Sequence, residues 1–120
     1  MDSNAIIGGI ILGGLAIFGY VRMFSQGRGT KKLKAILPEA MVIDVRTTAE
    51  YKGGHFSGAI NVPVEKLAKS TGRLGAKDAP KIVYCASGAR ARQAVRQMRM
   101  MGFMKVYAGG TLTDMEKLTG

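Results

Sequence analysis

The 120-residue chain has one cysteine, one histidine, three prolines and no tryptophan. A single cysteine allows no internal disulfide. With no Cys or His cluster near His55, no structural zinc site can be assembled either, so neither a metal nor a cofactor is expected. Cys85 is then either packing filler or the seat of chemistry. Acidic residues are also scarce: 8 Asp and Glu stand against 18 Lys and Arg, a formal net charge of +10. Such an excess would suit nucleic acid or an acidic surface. The chain shows no nucleic-acid fold signature and no aromatics interleaved with its cations, which argues against direct DNA or RNA binding. Internal repeats and low-complexity tracts are absent as well.

Charge is missing altogether from AIIGGIILGGLAIFGYV, the 17 residues from Ala5 to Val21. Continued through Phe24, with Arg22 able to snorkel, the stretch is long enough for a hydrocarbon core of ~30 Å. It has no polar face, as a soluble amphipathic helix would. A cleaved signal peptide fits poorly, because MDSN carries no positive charge, no small-x-small cleavage site follows, and the basic cluster lies on the wrong side. The chain therefore divides into a short tail (1–4), a transmembrane helix in the lipid bilayer (5–24), a basic juxtamembrane linker (25–34) and a folded domain (35–120). Arg22, Arg28, Lys31, Lys32 and Lys34 follow the apolar stretch and only Asp2 precedes it. The positive-inside rule then predicts a single-pass protein with its domain in the cytoplasm, as at a bacterial inner membrane. Ala5, Gly9 and Gly13 recur every fourth residue, spacing that would let two such helices form a homodimer.

Gln26 to Thr30 reads as a flexible juncture. Beyond it, KKLKAIL reads as a short helix ended by Pro38, and MVIDV (Met41 to Val45) as a buried strand. Thr47 and Glu50 form a capping box for the helix TAEYK, which Gly53 and Gly54 stop. AINVP is a second strand candidate, VEKLAKST looks helical, and TGRLGAKDAP is a loop. KIVYC (Lys81 to Cys85) is the next strand. A helix follows from about Arg90 to Met101, apolar along Ala91, Ala94, Val95, Met98 and Met101, with Arg92, Arg96 and Arg99 on its other side. Gly102 caps that helix and Phe103 folds back on it. KVYA is a strand, then GGT, then a short helix opened by Thr113 and Glu116 as another capping box. Alternating strands and helices predict an α/β domain with a parallel central sheet flanked by helices.

Cys85 ends a predicted strand just before a helix, so the loop YCASGAR presents successive main-chain N–H groups to whatever occupies its centre. Such a concavity favours negative charge, and a thiol beside it should be partly ionised. Ala86, Ser87, Gly88 and Ala89 let the backbone curl, Gly88 being free to take a left-handed conformation. Arg90 adds a fixed positive charge at the rim. The eight methionines are read as core filler.

At these residues the sequence resembles the rhodanese-like sulfurtransferases, over roughly Glu39 to Gly110. One motif is IDVRTTAEYKGGHFSGAINVP, Ile43 to Pro63; the other is VYCASGARARQAVRQMRMMGF, Val83 to Phe103. The resemblance implies the rhodanese-like fold and makes Cys85 the nucleophile that carries a sulfane sulfur as a persulfide. It implies that Ala86, Ser87, Gly88, Ala89 and Arg90 bind substrate, their amides holding the transferred sulfur and the departing anion, with Arg90 attracting thiosulfate or a similar donor. Asp44, Arg46 and Glu50 would make structural contacts supporting the loop, and His55 would stabilise a turn.

Loop length separates this chemistry from that of the related dual-specificity phosphatases and arsenate reductases, whose loop is one residue longer. Here four residues separate Cys85 from Arg90. The smaller ring suits one sulfur atom better than a phosphoryl group. No second cysteine can resolve a persulfide internally, so the acceptor must be external: cyanide, a small thiol or a partner protein. A membrane-tethered binding module of the same fold with little turnover is the alternative. The chain departs from the family in having no aromatic residue after Gly109 and Gly110, where it continues TLTDM.

Overall fold

The computed structural model describes residues 29–120. The predicted tail, the transmembrane stretch 5–24 and the first part of the linker lie outside the described residues. Among those described, no helix is long and apolar enough to cross a membrane. Residues 29–36 are helical (α1) and pass directly into a 3-10 turn at Leu37–Glu39, so the part of the expected linker and juncture within view is helix. Pro38 stops α1, since the residue before a proline is pushed out of the helical region and proline has no N–H to donate.

Four strands follow: β1 (Met41–Asp44), β2 (Ile60–Asn61), β3 (Lys81–Cys85) and β4 (Val106–Thr111). They pair in the order β2-β1-β3-β4, and every pairing is parallel. Parallel neighbours need long crossovers. These are supplied by α2 (Thr48–Lys52), the 3-10 segments Val64–Lys69 and Thr71–Arg73, and α3 (Ala89–Met100), while α4 (Leu112–Lys117) closes the chain.

Alternation along the strands makes two apolar layers. Ile43, Val83 and Cys85 face a cluster with Ala91, Ala94, Val95, Met98 and Phe103, whereas Val42, Ile82 and Tyr84 face a smaller one with Met115 and Leu118. Leu33 and Ile36 of α1 pack on the smaller cluster. The expected apolar face of α3 is the buried one, with Met101 partly buried beside it. That helix ends as the sequence predicts: Gly102 adopts φ 99°, its N–H donates to the Arg99 carbonyl, and the Phe103 N–H reaches back to Met98.

Several expectations are refined or corrected. VEKLAK is a 3-10 helix, and TGR, read as loop, is another. The second strand is two residues long rather than five. The fourth strand continues through both glycines to Thr111, which pairs with Cys85. Thr111 rather than Thr113 therefore caps α4, and its box partner is Asp114 rather than Glu116. Finally, the methionines are not all filler: Met98 and Met115 are fully buried, but Met100 is 90% and Met104 69% exposed.

Candidate active site

The carboxyl ends of β1, β2 and β3 meet through the register Asp44↔Asn61 and Asp44↔Tyr84. In open α/β sheets this is where ligands bind. Cys85 is the last residue of β3, and its side chain is fully buried. Its sulfur accepts two main-chain hydrogen bonds, from Gly88 N at 2.9 Å and from Ala91 N at 3.4 Å. The second donor lies one residue past the loop the sequence marks out.

The geometry follows from how α3 begins. Gly88 occupies the N-cap with φ 93°, a conformation costly for any residue with a Cβ, and brings no side chain to satisfy the first turn. The Ala91 N–H is one of the donors a helix start leaves unpaired. Cys85 Sγ fills the place a capping oxygen normally takes. Two N–H dipoles and the positive end of a 12-residue helix thus converge on one sulfur atom, an arrangement that stabilises negative charge there. Ala86 and Ser87, the next two residues of the loop, are exposed.

At the carboxyl ends of β1 and β3 lies a buried polar network. Asp44 and Arg46 pair closely: Arg46 Nε and Nη2 donate to the carboxylate at 3.0 and 2.6 Å, and the Arg46 main-chain N–H adds a bond at 2.9 Å. This pairing raises the Arg46 pKa, burial opposing it. Tyr84 Oη donates to Asp44 Oδ2 at 2.7 Å and accepts from Phe56 N at 2.9 Å. Burial, assisted by the bond to Asp44, pushes the Tyr84 phenol up to about 12. Arg46 Nη2 also reaches the Gly54 carbonyl at 2.7 Å, and Asn61 Nδ2 donates to the carbonyls of Asp44 and Arg46. Tyr84 and Asn61 are absent from the sequence-derived site. Both look like strand residues in sequence, and their roles arise only when β1, β2 and β3 align.

Glu50 does more than cap α2. Its carboxylate takes Arg90 Nη1 at 2.8 Å and Nη2 at 3.0 Å, a bidentate pair that ties the first motif to the loop after Cys85. The bond to Arg90, with help from Thr47 N–H, holds the Glu50 pKa at about 2. Arg90 is raised chiefly by the same bond, burial opposing it. Arg90 is therefore already bound to a carboxylate, where the sequence suggested an open cation. Arg92 lies closer over the loop than its place on the helix implies: a Cβ built on Gly88 would sit 3.3 Å from Arg92 Nη1. His55 stacks on Tyr51 with ring centroids 3.7 Å apart, and its Nδ1 lies 2.9 Å from the Tyr51 carbonyl, which fits a turn-stabilising side chain.

A model of the Rhodanese-like domain matches residues 29–112. The chain belongs to this family. Among solved structures, the rhodanese-like domain of the Alr3790 protein from Anabaena is 30% identical with a TM-score of 0.61, the match covering 68% of this chain and 94% of that one. A rhodanese from Escherichia coli, solved with anions, is 32% identical with a TM-score of 0.56, covering 62% of this chain and 89% of that one. The tRNA uridine(34) hydroxylase of Escherichia coli is 37% identical over 75 residues, 58% of this chain. The match spans only 21% of that curated relative. The α/β fold with a parallel central sheet is thus the rhodanese fold, and Cys85 and its loop fall inside the matched residues.

Proposed function

We propose that this rhodanese-like domain is a sulfurtransferase that carries sulfane sulfur on Cys85. The observation that supports it best is the pair of N–H groups, Gly88 and Ala91, aimed at Sγ where α3 begins. In the first step the Cys85 thiolate attacks the outer sulfur of thiosulfate. A Cys–S–S bond forms, the donor's S–S bond breaks, and its electron pair leaves with sulfite. In the second, an external nucleophile attacks the outer sulfur of the persulfide, and the thiolate is regenerated. Ala86, Ser87 and Ala89 frame the loop, and Arg90, held by Glu50, supports its positive field. Because Cys85 is fully buried, its surroundings must open to admit the donor.

That same burial favours a second reading, a binding module with little turnover. Incubation with thiosulfate followed by mass spectrometry separates the two: a gain of ~32 Da on Cys85, absent in Cys85→Ala, is expected for the sulfurtransferase, and an unchanged mass for the binding module. The similarity to tRNA uridine(34) hydroxylase supports the domain rather than the hydroxylation, since it covers so little of that protein. The apolar stretch 5–24 and the cations after it support attachment to a bilayer with the domain on the cytoplasmic side.

A further inference from the structure

From Ala79 to Thr113 the chain contains six cations, Lys81, Arg90, Arg92, Arg96, Arg99 and Lys105, and no acid. Lys81 is buried and turned inward, its Nζ donating to the carbonyls of Ala76 and Ala79, and Arg90 is committed to Glu50. Arg92, Arg96 and Arg99 recur at helical spacing along α3, opposite the buried Ala91, Ala94, Val95 and Met98, and all three are exposed. No salt bridge to any of them exists among the described residues. Met100, 90% exposed, ends the same helix. This basic stripe begins at the catalytic loop, where Arg92 overhangs Gly88.

We propose that the exposed face of α3 is the docking surface for an acidic protein that accepts the sulfur. The proposal rests on the sulfur-transfer reading above: with one cysteine in the chain, the acceptor must come to Cys85 from outside. A partner aligned along Arg96 and Arg99 would bring its own thiol to the N-terminal end of α3, where the persulfide is held. The composition of the face suits protein better than lipid or nucleic acid. Arginine and methionine are enriched at protein interfaces and lysine depleted, and the exposed face of α3 carries Arg92, Arg96, Arg99 and Met100, with no lysine or aromatic ring anywhere on the helix. Unpaired charge of one sign accelerates encounter with an oppositely charged partner. In the transfer itself the acceptor thiolate attacks the outer sulfur of Cys85–S–S⁻. Its new S–S bond forms as the Cys85 S–S bond breaks, and the electron pair returns to Cys85 Sγ.

The test uses the full chain, loaded with thiosulfate, and three acceptors: a cysteine peptide flanked by glutamates, the same peptide with glutamines, and cyanide. Transfer to the glutamate peptide should be about tenfold faster than to the glutamine peptide at low salt, the advantage fading as the Debye length shrinks. Arg96→Glu should remove that advantage and leave the cyanide rate unchanged; Arg96→Gln should remove part of it. Equal rates for the two peptides, or an Arg96→Glu variant with undiminished preference, overturn the proposal. So does loss of binding to phosphatidylserine vesicles in Arg96→Glu with peptide rates untouched, which would assign the face to lipid. If no persulfide forms at all, the sulfur-transfer reading fails by itself. Docking is then read by fluorescence anisotropy of the labelled glutamate peptide, where equal binding to wild-type and Arg96→Glu overturns it.

Discussion

At the scale of single residues, Tyr84 and Glu50 show how the site is held. The Tyr84 hydroxyl bridges the buried Asp44 and the partly buried Phe56 N–H. Tyr84→Phe removes the bridge, leaving the buried Asp44 carboxylate without one donor and the partly buried Phe56 N–H without its acceptor, so it should cost about 1–3 kcal/mol in urea unfolding. Its pH signature is equally specific. The folded phenol titrates at about 12 against an ordinary 10.0, so its contribution is complete below pH 10 and lost as pH rises toward 12. In Tyr84→Phe that alkaline fall in stability should flatten. Glu50 has the opposite sign. Its folded pKa is lowered from 4.5 to about 2, so its contribution is complete above pH 4.5 and lost as pH falls through that window. Glu50→Gln keeps a capping oxygen but loses the ion pair, and thermal melts should show a flatter acid limb. The change will be small and sensitive to salt, since the side chains of Arg90 and Glu50 are 32% and 35% exposed.

At the scale of elements, the decisive junction is β3 to α3. Gly88 allows the turn that points two N–H groups at the sulfur, and its φ of 93° leaves no comfortable place for a side chain. Gly88→Ala should cost roughly 1–3 kcal/mol of stability. Persulfide formation should fall further than global unfolding explains, because relieving the strained φ would turn the residue 88 N–H away from Sγ. A variant that is destabilised yet forms persulfide at the wild-type rate would show that the transfer does not depend on glycine at this turn. The junction was legible in the sequence because everything that makes it is contiguous, from the apolar run ending on Cys85 to the glycine three residues later. The box of Thr47 and Glu50 was legible for the same reason. The start of α4 was not: Thr111 with Asp114 and Thr113 with Glu116 both satisfy the local pattern, and the pairing of Thr111 with Cys85 decides between them. Tyr84, Asn61 and the Glu50–Arg90 pair escaped for a related reason. The two partners of that pair stand 40 positions apart, and nothing local in either motif states that they meet.

At the scale of the whole molecule, Leu33–Gly120 forms one compact unit, and its smaller apolar layer is completed by residues that precede the first strand. Leu33, Ile36 and Leu37 pack beside Val42, Ile82, Tyr84 and Met115. The sheet face that carries Tyr84 therefore depends on α1, and through Tyr84 so does the polar network at Asp44. Two shortened chains separate this role from that of the apolar stretch 5–24. A chain beginning at Gly29 keeps the whole layer and should unfold cooperatively, without needing the detergent that we expect the full chain to require. A chain beginning at Pro38 loses three partly buried aliphatic side chains, at about 1 kcal/mol each, and should be about 3 kcal/mol less stable in urea. It should also lose transfer activity at denaturant concentrations where the longer one keeps it. Equal midpoints for the two would mean that α1 is not part of the folding unit, and detergent dependence persisting in the chain from Gly29 would move the membrane contact from 5–24 to the domain itself.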